Sequence, residues 1–251
     1  MSYFRFRQIC LVAPKLSDVE ADISFILDAP VCFRDPAVGK YGLENALWAL
    51  GPMFLEVVSP IASDTAAGRF LQKTGGQGGY MAIFDCDDPR ARGAHCEAMG
   101  VRKIVDHTYG DYTGVQLHPR DCRGAMIEFN RTEGGDSNPD IYGPAGPDWK
   151  KFATSPTRIV GVTMEGAPDL AAHWSRITQS PLVPRDGERA LRFAEADIVF
   201  RPGARDMMAE LAMASPDPAA MRARAQERGR KIDNGAFTLA GVRIRPGQQQ
   251  S

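Results

Sequence analysis

Hydrophobic and polar positions alternate strand-like in "RQICLVAP", Arg7–Pro14, and then recur at helical spacing through Asp18–Leu27. The stretch "GLENALWALGPMFLEVVSP", Gly42–Pro60, predicts two short strands joined by a Gly-Pro turn. The second carries Glu56 among Phe54, Leu55, Val57 and Val58, a carboxylate inside a strand otherwise fit for a core. Shifting the chain by 72 residues reproduces the pattern. Arg7–Pro14 then falls on "GYMAIFDC", Gly79–Cys86; Asp18–Leu27 falls on Arg90–Met99; and "FLEVV" falls on "MIEFN", so that Glu56 lands on Glu128.

A longer shift of 129 residues matches Asp88–Gly100 to Asp217–Gly229. Both segments open with Asp-Pro, an N-cap followed by proline at the first helical position, and both close on glycine. A further unit begins at "RIVGVTM", Arg158–Met164, with a helix from Pro168. The chain thus reads as α+β, with four strand–helix–strands units grouped in two pairs. The N-terminal pair spans residues 1–131, with modules 4–60 and 79–131, and the C-terminal pair spans 157–247. Residues 132–156 have the Gly, Pro and Asp content of a linker. "TGGQGGY", Thr74–Tyr80, precedes a strand instead of opening a helix, so it reads as a turn and not as a phosphate cradle.

Composition narrows the function classes. The 251 residues are 43% hydrophobic and 24% charged with a net charge of −1, a globular balance with no field favouring nucleic acid or anionic membranes. No apolar run of membrane-spanning length exists, and the N-terminus lacks a signal-peptide pattern, so a cytoplasmic protein is expected. The five cysteines are odd in number and lack CxxC spacing, which predicts core filler and neither a disulfide framework nor a thiolate zinc site.

"FRDPAVGKYGLENALWALGPMFLEVVSP" and "GGYMAIFDCDDP", together with the paired strand-borne glutamates, resemble the vicinal oxygen chelate superfamily in its glyoxalase-like branch. That resemblance implies tandem βαβββ modules whose strands curl into half-open barrels, helices outside and a cleft inside. It places Gln8, Glu56, Tyr80 and Glu128 at the family's ligand positions and implies a homodimer as one form the chain can take. Glu56 would then face the cup while Leu55 and Val57 pack under a helix. Two states follow. In one, Gln8, Glu56 and Glu128 hold Mg²⁺, Mn²⁺, Ni²⁺ or Zn²⁺. In the other no metal binds, Glu56 and Glu128 form an acid–base pair, and Tyr80 donates to a substrate oxygen or to Glu128.

Other candidates surround this set. On strand parity His118 shares a face with Gln116, and in the cup it would be a proton shuttle, because imidazole titrates near neutrality. The 72-residue shift sets Asn45 against Leu117, so simple parity admits only one of Asn45 and His118 unless a bulge intervenes. Asn45 offers a donor and an acceptor to a ligand, and Arg69 could clamp a carboxylate. The C-terminal pair offers Arg158–Ile159, Ala209 and Arg245 at the corresponding places, and no ligand set; Trp149 and Trp174 are candidates to narrow the pocket. The resemblance implies an enzyme acting on a small carbonyl- or carboxylate-bearing molecule by lyase or isomerase chemistry. Dioxygenase chemistry is disfavoured, since the two-histidine, one-carboxylate set is missing. The alternative is a metal-free sequestering protein of the bleomycin-resistance type.

Overall fold

The computed structural model describes residues 3–248. Its first module runs β1 (Phe4–Val12), α1 (Ser17–Leu27), β2 (Val31–Phe33), β3 (Leu43–Leu50) and β4 (Met53–Pro60). After α2 (Ala66–Thr74) the second runs β5 (Gly79–Cys86), α3 (Pro89–Ala98), β6 (Lys103–Tyr109), β7 (Tyr112–Leu117), α4 (Pro119–Cys122) and β8 (Met126–Thr132). The eight strands form one sheet in the order β2-β3-β4-β1-β5-β8-β7-β6. Each first strand is parallel to its own module's last strand, and β1 meets β5 antiparallel at the centre. These are the paired βαβββ modules expected from the repeat.

The C-terminal half repeats the plan with β9 (Arg158–Gly166), α5 (Leu170–Thr178), β10 (Leu182–Arg185), β11 (Glu188–Leu191) and β12 (Asp197–Pro202). β13 (Met207–Ser215), α6 (Pro218–Glu227), β14 (Phe237–Leu239) and β15 (Val242–Gln248) follow. Its seven strands are ordered β10-β11-β12-β9-β13-β15-β14, so among the described residues the fourth unit has two strands after its helix where the others have three. Asp88 and Asp217 cap α3 and α6 as the Asp-Pro pairs predict, accepting from Ala91 N at 2.9 Å and Ala220 N at 2.8 Å.

Period-two alternation decides which face each side chain takes. Ile9 and Leu11 of β1, Leu55 and Val57 of β4, and Ala82 and Phe84 of β5 lie in the core beneath the helices. Cys10, Val12, Val58, Met81 and Ile83 lie on the opposite, concave face. The helix-side core is continuous through both halves, with α1 against α6 and α3 against α5. Side chains lock the junction: Trp174 Nε1 donates to Arg123 O at 2.9 Å, and Arg123 bridges Asp206 at 2.6 Å and Asp169 at 2.8 Å. Two helix-bearing faces therefore share one core, and the concave faces look outward.

The 132–156 segment joins the halves and is also laid across the first sheet's concave face as a strap. Tyr142, Ala145 and Trp149 pack there on Leu47, Ala49 and Phe54. Arg5 and Arg7 hold the strap's backbone, donating to Gly135 O at 2.8 Å and Pro139 O at 2.7 Å. Beside them Asp85 accepts from Tyr3 Oη at 3.1 Å and from Arg5 at 3.2 Å. Burial nevertheless lifts its carboxyl from 3.8 to about 6. The folded chain thus holds a proton on Asp85 that the unfolded chain releases, so stability is highest below the unfolded value and is lost as pH rises through about 6. Urea unfolding between pH 4 and pH 7 is expected to show a loss up to about 3 kcal/mol larger in the wild type than in Asp85→Asn. Equal slopes for the two proteins would contradict the assignment.

Candidate functional site

Glu56 and Glu128 both face the concave side of the eight-stranded sheet, opposite the helix-side core formed by their neighbours Leu55, Val57, Ile127 and Phe129. They are 7% and 6% exposed, and each is enclosed by donors. Glu56 accepts from Gln8 Nε2 at 2.9 Å and from Asn45 Nδ2 at 2.7 Å. Glu128 accepts from Tyr112 Oη at 2.6 Å, Gln116 Nε2 at 2.7 Å and Asn130 Nδ2 at 3.2 Å. Asn45 is itself set by Asp35 N, which donates to its Oδ1 at 2.8 Å.

Burial raises the Glu56 carboxyl above its ordinary range, against the pull of Asn45, Cys10 and Gln8, and the charge of Glu128 adds to the rise. The two acids are thus within electrostatic reach of each other. Cys10, beneath them, has its thiol pushed well up by burial, so it remains protonated against Glu56. Burial likewise pushes Tyr112 and Tyr142 far above the usual phenol value, keeping both as hydrogen-bond donors.

A residue of the strap connects the two acid shells. Tyr142 Oη donates to Gln8 Oε1 at 3.0 Å and receives from Asn130 Nδ2 at 3.5 Å, while its ring stacks on Phe54 at 5.1 Å. The path Glu56–Gln8–Tyr142–Asn130–Glu128 is unbroken. Reading 132–156 as linker composition hides Tyr142; its one sequence signal is the presence of three aromatics, Tyr142, Trp149 and Phe152, in a segment otherwise rich in Gly, Pro and Asp. Tyr112, Gln116 and Asn130 also escape a single 72-residue shift, though Gln116 and Asn130 stand at strand parity with Glu128.

Other expected residues fall elsewhere. Strand register pairs Gln8 with Phe54 and Met81 with Met126, each two residues before its glutamate. Met81, and not Tyr80, is therefore the counterpart of Gln8. Arg7 and Tyr80 are the unpaired residues of matching bulges in β1 and β5, and the true shift there is 73 because the stretch from Gln8 to Phe54 is one residue longer than that from Met81 to Met126. Tyr80 packs edge-on to Phe70 of α2 at 5.0 Å in an apolar cluster, and burial pushes its phenol up to about 12.

His118 also departs from expectation. β7 ends at Leu117, and His118 turns away as the cap of α4, accepting from Arg120 N at 3.2 Å beside Arg102. Arg69 is an exposed partner of Asp64 at 2.6 Å. Trp149 lies over the cup, while Trp174 belongs to the core between the sheets.

Bulges recur in the second sheet, where Val160 and Ala209 are the unpaired residues. Glu210, and not Ala209, thereby takes the place of Gln8, paired with Arg243 two residues before Arg245. Arg245 grips Glu210 through two bonds of 2.7 Å. That arrangement is an ion pair and not a second acid set.

The first cup does not fit a resident divalent ion. Its four equivalent positions are Gln8, Glu56, Met81 and Glu128, so a neutral thioether stands where a hard cation wants oxygen or imidazole. All four carboxylate oxygens already receive N–H or O–H donors, and Gln8 turns its nitrogen toward Glu56. Among the described residues no cluster of three His, Cys, Asp or Glu side chains suits a metal. Thermal melts with Mg²⁺, Mn²⁺, Ni²⁺ or Zn²⁺ are expected to coincide with the metal-free melt; a saturable upward shift abolished by Glu128→Ala would refute this.

No family model matches the chain. Mitochondrial methylmalonyl-CoA epimerase of Homo sapiens is 24% identical over 130 residues, covering 51% of this chain and 73% of that protein. The Mus musculus protein of the same name is also 24% identical over 130 residues, covering 51% and 72%. A hypothetical protein from Staphylococcus aureus of known crystal structure superposes on 98% of this chain and 100% of its own, with a TM-score of 0.69 at 12% identity. The chain has the paired-module fold of the vicinal oxygen chelate type. The match to the staphylococcal structure extends over both halves of the chain, and the acid pair lies wholly within the first sheet. No helix among the described residues is long and apolar enough to cross a membrane.

Proposed function

We propose that this chain is a proton-transfer enzyme of isomerase or lyase type, acting on a carbon acid beside a carbonyl or carboxylate of a small molecule. One observation carries the reading: two strand-borne carboxylates, related by the module repeat, lie buried on one concave face and are joined by a single hydrogen-bond path. A buried carboxylate whose proton affinity is raised is a stronger base than one in water, and its conjugate acid holds a proton nearer neutral pH. Glu56 has that character.

In this mechanism Glu56 removes the α-proton, with Gln8 and Asn45 fixing the plane of its carboxylate. Glu128, held by Tyr112, Gln116 and Asn130, faces the same hollow from the other module. Return of a proton from the opposite side inverts the carbon centre, whereas return from Glu56 gives exchange without inversion. Both acids are over nine-tenths buried, so substrate entry requires the strap or α2 to move. The two relatives named methylmalonyl-CoA epimerase support α-proton chemistry and make an acyl-CoA bearing a second carboxylate the first substrate to try.

The test is deuterium wash-in. Methylmalonyl-CoA and simpler 2-substituted malonyl thioesters are incubated with the protein in D₂O, and α-deuterium is measured by mass spectrometry. Incorporation that depends on Glu56 is expected. Tight binding of these ligands with no incorporation would favour the sequestering alternative, which the apolar Met81 at a ligand position also suits.

A further inference from the structure

The orientation of every group between the two acids follows from chemistry. Glu128 Oε1 already accepts from Tyr112 Oη at 2.6 Å, and Asn130 meets the same oxygen with its donor, Nδ2, at 3.2 Å. The same Nδ2 faces Tyr142 Oη, which therefore accepts there and directs its own proton to Gln8 Oε1 at 3.0 Å. With Oε1 so engaged, Gln8 presents Nε2 to Glu56 at 2.9 Å. Asn130 Oδ1 is left buried without a partner, and flipping the amide to relieve it would set that oxygen against Glu128. The polarity of the path is thus locked from one end to the other.

We propose that Tyr142, supplied by the strap, is a positioning residue that fixes the Gln8 amide and thereby sets the proton affinity of Glu56. Its hydroxyl is the polar contact between the strap and the Gln8–Glu56 pair; the ring's stacking on Phe54 and its place beneath the Arg7 guanidinium, 5.3 Å from the ring centre, aim it there. Without that hydroxyl the amide is free to turn Oε1 toward Glu56, replacing a donor by an acceptor, and a carboxylate that loses a donor binds its proton more tightly. Strap and base strength are coupled in this way. The inference rests on the proposed role of Glu56 for its catalytic meaning, but its direct readout needs no substrate.

Tyr142→Phe keeps the ring and removes the link. Carbon-13 NMR of glutamate-labelled protein is expected to show the Glu56 titration midpoint rising by about one pH unit. The acid limb of the exchange profile should move the same way, with kcat lowered and KM within about twofold. Trp149→Phe, which removes the indole bond to Asp140 O but leaves the path intact, should not move the midpoint. An unmoved midpoint in Tyr142→Phe, or equal movement in both variants, overturns the proposal. A second measurement uses the wild type alone: the Gln8 side-chain amide protons should be protected from solvent exchange, and rapid exchange also overturns it. Failure of Glu56→Gln to stop deuterium wash-in would instead overturn the catalytic reading and leave this titration result standing.

Discussion

Glu56→Gln is expected to lower α-proton exchange by about 10²–10⁴-fold, the usual contribution of a positioned general base. The substitution preserves shape and volume, so the cup should stay closed around it. An amide cannot take the proton, and it also meets its neighbours badly. Gln8 Nε2 and Asn45 Nδ2 both point at the two oxygens of Glu56. An amide can offer one oxygen, so one of these donors would face another N–H, at about 1–3 kcal/mol. A modest fall in Tm should therefore accompany a large loss of exchange. Glu128→Gln is subject to the same conflict among Tyr112, Gln116 and Asn130, and it separates the outcomes by stereochemistry. If Glu128 returns the proton from the opposite side, the variant keeps wash-in on one face and loses inversion. Full exchange in both folded variants would remove the acid pair from the mechanism.

Trp174→Ala is expected to cost about 3–5 kcal/mol and to unfold both halves in one transition. The indole is fully buried, lies edge-on to Phe200 at 6.2 Å, and donates across the junction to Arg123 O at 2.9 Å. Truncation empties a large volume in a core that the two halves share, and it leaves the part-buried Arg123 carbonyl without its donor. Arg123 is poised at the same seam, its positive charge tied to Asp169 and Asp206 from the C-terminal half. Tryptophan fluorescence and far-ultraviolet circular dichroism should therefore report one urea midpoint, shifted together. Two separated transitions, or a loss confined to the C-terminal sheet, would show that the junction contributes little to stability.

The repeat was legible because β4 and β8 end their modules on the same alternation, which carries Glu56 and Glu128 to one face at a shift of 72 residues. The same shift misplaces Gln8's partner. The first module is one residue longer than the second between its first and last strands, and one residue is enough to turn a side chain through the sheet. Tyr80 therefore replaced Met81 in the sequence reading, and Ala209 replaced Glu210. His118 failed for a related reason: parity holds only while the strand lasts, and the proline at 119 begins α4. Asn45 does reach the cup, where it donates to Glu56, because its strand continues unbroken to the Gly-Pro turn.

What the chain's own pattern determined was local: strand and helix periods, the Asp-Pro caps, four units and the pair of acids at matching strand positions. Those features depend on neighbours a few residues apart, and a linear string records them. Only the tertiary structure decided that residues 132–156 cross the cup, that Tyr142 stands between the two acid shells, and that Met81 faces the hollow. These placements turn on contacts between residues such as Gln8 and Tyr142, 134 positions apart, and on the register set by strand pairing. The hydrophobic period of one segment contains neither, because each arises from the energy of bringing two segments together.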